Sequence, residues 1–332
     1  MSNDERLGAL HTYFELMNMN GAARIYRSAR ELGIFEALSE RSATAEAVAD
    51  SCGLKAEAVR LLLNGLCSIG MLTRETESYS LAVVAQFLSG NYQNLGDEYW
   101  DYLPQFLKTG VPLAKMDSVE QSEEQYEQQV SALAWMMMPA AEALAQMLGM
   151  GEARKGLRIL DVGAGSGIWS LTCARHDAGT HVTASDWPII VKIATGFAQQ
   201  MGLQERFSAI PGNYHEADLG ANEFDLAIVA NVTHIETADG NRDLFRQIHR
   251  ALKPGGELLI VDVMAEQAEG QVSAALYALG LGLRTETGQV HAPDALQQYL
   301  GDSGFTAASP RPIPVPPYTM GMILAKKENQ GC

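Results

Sequence analysis

From Leu157 onward, short apolar runs alternate with helical stretches, and this constrains the fold more than any other feature of the chain. A parallel sheet with helices on both faces is the architecture that such a pattern builds. Strands are expected at 158–162, 181–185, 207–210, 226–229 and 257–263, with a last strand at 318–325, after a Pro-rich run, beside one near Thr306. The first strand runs into Leu160-Asp161-Val162-Gly163-Ala164-Gly165-Ser166-Gly167, which opens a helix. Glycines there permit a tight turn and let backbone N–H groups approach a ligand closely. The loop resembles a dinucleotide fingerprint, but its spacing is G-x-G-x-G rather than G-x-G-x-x-G, which makes a nicotinamide dehydrogenase the weaker reading. Asp186 closes the second strand, where a carboxylate can accept both hydroxyls of a ribose. Trp187 follows it, and Pro188 suits the first position of a helix. A plain helix cap is the alternative for Asp186.

The N-terminal third reads differently. Residues 22–38 place Ile25, Leu32, Ile34, Phe35 and Leu38 near one helical face. Thr44 can cap a short helix that ends at Gly53, residues 55–69 form a second helix, and 71–73 with 78–81 read as a hairpin. Helix, helix-turn-helix and hairpin make a winged helix, used either to read DNA or to pack. Charge separates the two: Glu46, Asp50 and Glu57 outnumber Lys55 and Arg60, and the whole chain carries −16 with a pI near 4.8. A DNA reader needs clustered cations, so packing is favoured and neither nucleic acid nor an anionic membrane is an expected partner. Residues 91–150 are helical and rich in aromatics and methionine. Tyr102, Trp135 and Met138 are candidates for a substrate pocket, with ordinary core as the alternative. The chain divides accordingly into 1–90, 91–150 and 151–332. Cysteines 52, 67, 173 and 332 are scattered without metal-ligand spacing, so reduced thiols and no metal are expected. The start MSNDERLGAL is polar and no apolar run reaches membrane length, which points to the cytoplasm.

DVGAGSG, the SDWP segment, PGNY at 211–214, DLAIVANVTH and LKPGG at 252–256 together resemble a class I S-adenosylmethionine-dependent methyltransferase. With the winged helix, nearly the whole chain resembles the plant-type and bacterial small-molecule O-methyltransferases, the group containing caffeate and hydroxyindole O-methyltransferases. The resemblance implies an α/β fold: a Rossmann-like seven-stranded sheet with its last strand antiparallel, preceded by a mainly helical winged-helix dimerisation domain. It also implies S-adenosylmethionine as cofactor, a small-molecule acceptor, a homodimer through the N-terminal domain and an active site between the domains. On the cofactor side it places Asp161, Gly163, Gly165, Gly167, Asp186, Trp187, Asn213, Tyr214 and Asn231. Tyr214 falls against the adenine, and Asn213 replaces the usual Asp.

His234 falls at the family's general base, although the usual His-Asp-Trp is His234-Ile235-Glu236 here, and Asp262 matches its acidic partner. An imidazole suits the work because that side chain titrates near neutrality. A second acid belongs in a G-x-E-R segment that here reads Gly288-Gln289-Val290-His291, which leaves His291 as the candidate replacement. A phenol must lose its proton as it attacks, whereas a thioether or carbon nucleophile needs only placement in line with the methyl group. O-methylation is the leading expectation. S-, N- or C-methylation, a non-methylating enzyme of this fold and a DNA-binding ligand sensor stay open. His11, Tyr13 and Phe14 either reach across a dimer or pack within its interface.

Overall fold

A computed structural model describes residues 2–88, 93–117, 122–264, 272–316 and 319–328, and divides the chain into two units, Met1–Leu95 and Gly96–Cys332. Helix α1 (Asn3–Glu31) starts at a capping box in which Ser2 and Glu5 satisfy each other's backbone N–H, with Asp4 and Glu5 complementing the positive end of its dipole. The expected single helix over 22–38 is broken, because Gly33 turns left-handed at φ 74° before α2 (Ile34–Ala37). Thr44 does cap α3 (Ala45–Cys52) by accepting from the Ala47 amide at 3.3 Å, and Gly53 ends it at φ 67°. The winged helix is completed by α4 (Ala56–Ser68) and three antiparallel strands: β1 (Ala43–Thr44) on β3 (Ser78–Leu81), and β3 on β2 (Leu72–Glu75), followed by α5 (Val83–Phe87). Its core gathers Ala29, Ile34, Leu38, Val48, Leu63, Leu66 and Leu72 around Tyr79, whose hydroxyl donates to Asn64 Oδ1 at 2.9 Å. The first half of α1 contributes nothing to that core: Leu7, Tyr13, Phe14 and Leu16 are 58%, 57%, 54% and 59% exposed.

The second unit begins with α6 (Asp97–Thr109) and α7 (Ser122–Leu148), then alternates β4 (Arg158–Val162), α8 (Ile168–Arg175), β5 (His181–Asp186), α9 (Pro188–Gln200), β6 (Phe207–Pro211), β7 (Phe224–Ala230), α10 (Ala238–Ala251) and β8 (Leu252–Val263). It ends with α11 (Val272–Gly282), α12 (Pro293–Asp302), β9 (Phe305–Ala307), β10 (Arg311–Pro312) and β11 (Met320–Lys327). The sheet runs β10-β11-β8-β7-β4-β5-β6; β11 is antiparallel to β8, and β9 also pairs with β11. It has eight strands rather than seven because the segment before β11 touches it twice, Phe305 opposite Lys327 and Arg311 opposite Met322. Within the described residues the last strand starts at Met320; Tyr318, where it was expected to begin, lies outside them.

Alternation along each strand fills both faces. Ile159, Leu226, Ile228, Leu259 and Val261 pack toward Ala140, Ala141, Leu144 and Ala145 of α7, while Leu160, Val162, Val229, Leu258 and Ile260 pack toward Leu244, Ile248 and Leu296. The small alanines of α7 let that helix sit close, which explains why it belongs with the sheet. Met137 packs on this core, but Met138 is 40% exposed and faces outward. LKPGG lies at the start of β8 but loops out of the ladder: Phe224 faces Leu252 and Leu226 faces Glu257, so four residues, with Gly255 at φ 75°, stand opposite Asp225. Among the described residues no helix is long and apolar enough to cross a membrane.

Candidate active site

The chain leaves β4 toward β5 on one side and reaches β7 on the other, so a crevice opens at the carboxyl ends of these strands, where ligands of such sheets sit. Gly163, Gly165 and Gly167 all hold left-handed φ, at 65°, 55° and 72°. A Cβ at Gly163 would run into Cγ2 of Val232, so only glycine fits between the loop and the turn after β7. Gly165 has nothing within 4 Å of such a Cβ, which leaves its backbone open to a ligand. Asp161 is buried and accepts from Ser170 Oγ at 2.5 Å, fastening the loop's root to α8. Burial pushes its carboxyl up to about 7, although the Ser170 hydrogen bond works against that rise. Asp186 accepts from the Gly165 amide at 2.8 Å and from the Trp187 amide at 2.7 Å. It therefore braces the glycine loop as well as the start of α9, more than a simple cap would do. Trp187 is half-buried, and Pro188 opens α9.

On the far side of the loop, Asn213 Oδ1 accepts from the His215 amide at 3.0 Å, closing a tight turn. Cε1 of Tyr214 lies 3.7 Å from where a Gly163 Cβ would stand, so its ring borders the glycine loop. Its hydroxyl donates to Glu236 Oε1 at 2.6 Å, and His215 Nε2 meets the same oxygen at 2.8 Å. Sequence reasoning did not single out Glu236; a carboxylate where the family has an aromatic residue was the available signal. Burial opposes its charge, but the His215 and Tyr214 hydrogen bonds hold the carboxyl below its usual range. The Glu236 hydrogen bond raises His215, with burial opposing, and burial together with Glu236 pushes the Tyr214 hydroxyl well up.

Asn231 follows β7 with φ 58°, a left-handed conformation that asparagine tolerates better than most non-glycine residues; its amide donates to Val261 O at 2.8 Å. The following turn presents His234, 7% exposed, with Nδ1 2.7 Å from Asp262 Oδ1. Asp262 is fully buried and also accepts from Thr233 Oγ1 at 2.6 Å and from the amides of His234 and Val263 at 3.2 and 2.8 Å. Burial works against its charge; the His234 imidazole and these donors more than offset that and keep the carboxyl low. With Nδ1–H given to Asp262, Nε2 presents a lone pair. The hydroxyl of Tyr277 donates to it at 3.1 Å, with the rings edge to face at 85°.

Tyr277 was missed because α11, VSAALYALGLG, reads as plain apolar helix; its lone polar ring was the only cue. His291 does not replace the absent acid beside the base. It is buried, with Nε2 3.1 Å from Glu236 O and 3.2 Å from Asn241 Nδ2 and its ring against Tyr299, because it supports the backbone behind the turn. The Gln289 amide, donating to His234 O at 2.8 Å, does the same. Tyr102 and Trp135 are half-buried on α6 and α7, while the α6 ring that meets α11 is Phe106, packed on Gly282. Among the described residues, no group of His, Cys, Asp and Glu could hold a metal.

Comparison with known proteins gives two matching families: the O-methyltransferase domain over residues 92–306 and the O-methyltransferase dimerisation domain over residues 14–91. The chain is similar to the acetylserotonin O-methyltransferase of Bos taurus, 25% identical over 85% of this chain and 88% of that one. It is likewise similar to the L-tyrosine C(3)-methyltransferase of Streptomyces lavendulae, 25% identical over 92% of this chain and 90% of that one. Among solved structures, human N-acetylserotonin methyltransferase in complex with SAM shares the fold, with a TM-score of 0.75, 22% identity and 99% of each chain covered.

Proposed function

The chain belongs to the O-methyltransferase family, and on that premise we propose that it moves a methyl group from S-adenosylmethionine to a hydroxyl of a small molecule, with His234 as general base, as a homodimer. The carrying observation is the Asp262–His234–Tyr277 chain, in which a buried carboxylate orients the imidazole and a hydroxyl already donates to Nε2. That hydroxyl stands where an acceptor's hydroxyl has to stand. The cofactor supplies an electrophilic methyl group on a sulfonium sulfur. The crevice fits it: Gly165 offers open backbone, Asp186 a carboxylate for the ribose diol, and Tyr214 a ring beside the loop.

His234 takes the acceptor's proton at Nε2 as the oxygen attacks, and Asp262 stabilises the imidazolium that forms. Asn213 and Asn231 shape the turns on either side, and Asp161 holds the loop to α8. The dimerisation domain and the uncovered apolar residues of α1 support the homodimer, while the acidic helix-turn-helix supports a packing role over DNA reading. C-methylation is the second reading. It is favoured by the absence of an acid at Val290, and it is the reaction named in the Streptomyces relative.

The test is calorimetric titration with S-adenosylmethionine, S-adenosylhomocysteine and NADH, followed by methyl transfer to N-acetylserotonin and L-tyrosine as probes. Saturable binding of both adenosyl ligands but not NADH is expected. A folded, dimeric protein that binds neither would overturn the reading.

A further inference from the structure

We propose that Arg284 is the anion-binding residue of the acceptor site, so that the acceptor is a small hydroxylated carboxylate; this rests on the reading of His234 given above. Arg284 follows α11, and its Cζ lies 5.5 Å from the centroid of the Tyr277 ring, whose hydroxyl stands 3.1 Å from His234 Nε2. The Tyr277 ring itself fills the space between the cation and the base, so a ligand that reaches both has to lie along or displace that ring, with a carboxylate at one end and a hydroxyl about one phenol length away.

The backbone beneath the cation is anchored, and its guanidinium lies over the Tyr277 ring. The Arg284 amide donates to Leu281 O at 3.1 Å, its carbonyl accepts from the Met116 amide at 2.9 Å, and the Leu283 carbonyl accepts from the Leu113 amide at 2.8 Å. The side chain is half-buried, and among the described residues no carboxylate pairs with it. The acids nearby are already engaged. Glu286 pairs with Lys115 at 2.7 Å, and Asp117 accepts from the amides of Glu286 and Thr287 at 2.9 and 2.7 Å and from the Thr287 hydroxyl at 2.9 Å. Tyr99 on α6 also feels Arg284: burial and Glu98 raise its hydroxyl, and the guanidinium pulls it back.

A guanidinium beside an aromatic ring keeps its in-plane N–H donors, and their fork matches a carboxylate bidentately. In a chain of net charge −16, a half-buried cation that has no carboxylate partner among the described residues and lies next to the proposed base is explained by an anionic ligand. Two carboxylates are candidates, that of the acceptor and that of the cofactor's methionine moiety. The contact with Tyr277, on the side of Nε2, favours the acceptor.

The experiment uses the dimeric protein saturated with S-adenosylhomocysteine. Calorimetry compares 4-hydroxybenzoate, 3-(4-hydroxyphenyl)propanoate and 2-hydroxybutanoate, each against its primary amide. At least one acid is expected to bind, with its amide about tenfold weaker or more. Arg284→Gln should bring the acid down to the level of the amide while the affinity for S-adenosylhomocysteine stays the same. Arg284→Lys should retain part of the preference, since it keeps the charge and loses the fork. Equal behaviour of every acid and its amide, absence of binding included, overturns the proposal, as does a preference that survives in Arg284→Gln. Weaker S-adenosylhomocysteine binding in Arg284→Gln assigns the carboxylate to the cofactor and also overturns it. If Arg284→Gln fails to fold, the wild-type acid and amide comparison with Arg284→Lys decides. Failure of the wild type to bind S-adenosylhomocysteine is read separately, as failure of the cofactor reading, and takes this proposal with it.

Discussion

The glycine loop and the turn that carries His234 face the same crevice but keep their shapes by different means. Around residues 163–167 the restraint is backbone: left-handed φ at three glycines, amides of Gly163 and Ala164 on Ser185 O at 2.9 and 3.3 Å, and Asp186 on the Gly165 amide. Around His234 the restraint is a relay of side chains from separate segments, Asp262 from β8, Tyr277 from α11 and Thr233 from the turn itself. A backbone cradle tolerates little change at its glycines and much elsewhere. A side-chain relay can be cut at its outer members, Tyr277 or His234, with less harm to the fold than at Asp262, which is buried and holds four hydrogen bonds.

Substitutions on the two sides should therefore fail in different ways. His234→Ala should give the largest change, a fall in turnover of about 10² to 10⁴ with cofactor affinity preserved; equal turnover in steady-state assays would remove the base from the mechanism. Gly163→Ala should act on the fold itself, because a left-handed residue with a Cβ against Val232 loses on the order of 2–3 kcal/mol, read as a lower midpoint in thermal denaturation together with weakened cofactor binding. Asp186→Ala should weaken S-adenosylhomocysteine about tenfold or more in a calorimetric titration and, because it also strips the Gly165 and Trp187 amides of their acceptor, lower the denaturation midpoint by less than Gly163→Ala does. An unchanged affinity there would mean that the ribose is held by another group.

The smallest effect expected is one of pH, from the His215–Glu236 pair bordering the cradle. His215 is raised on folding, so its contribution is complete below the unfolded histidine value and is lost as pH rises through its higher folded value. Glu236 is lowered, so its contribution is present above the unfolded carboxyl value and is lost as pH falls through its lower folded value. The pair should therefore stabilise most between about pH 4.5 and 6.5. Glu236→Gln should flatten denaturation midpoints measured across that window, and an identical profile would show that the pair adds nothing.

The same contrast explains what the sequence disclosed. The cradle was legible because backbone needs leave a local signature: glycines at fixed spacing after an apolar strand, and an acid at the end of the next. Thr44 and Gly53 were legible for the same reason, as a cap and a left-handed end. His234 and Asp262 were reached through the family resemblance, and the structure puts one in the turn after β7 and the other at the end of β8. Tyr277 and Arg284 left no local mark, since what they touch is set by how α11 packs. His291 misled because counting along the chain gives a position and not a direction; its ring turns to Asn241 and the Glu236 carbonyl. The strand near Thr306 was read, but the eighth escaped because β10, two residues long, is too short to carry a period.

The bare half of α1 makes the integrity of this protein a matter of amount as well as of sequence. Leu7, Tyr13, Phe14, Leu16 and Met17 stand in water on a helix of 29 residues that its own domain grips only toward the far end. Apolar surface of that extent is a sink for association. Where a second copy is the cover, as in the proposed homodimer, association stabilises the folded chain by mass action, and concentrated protein holds its first helix more firmly than dilute protein does. Dilution of such a dimer acts as a mild denaturant, with no change of temperature, salt or pH.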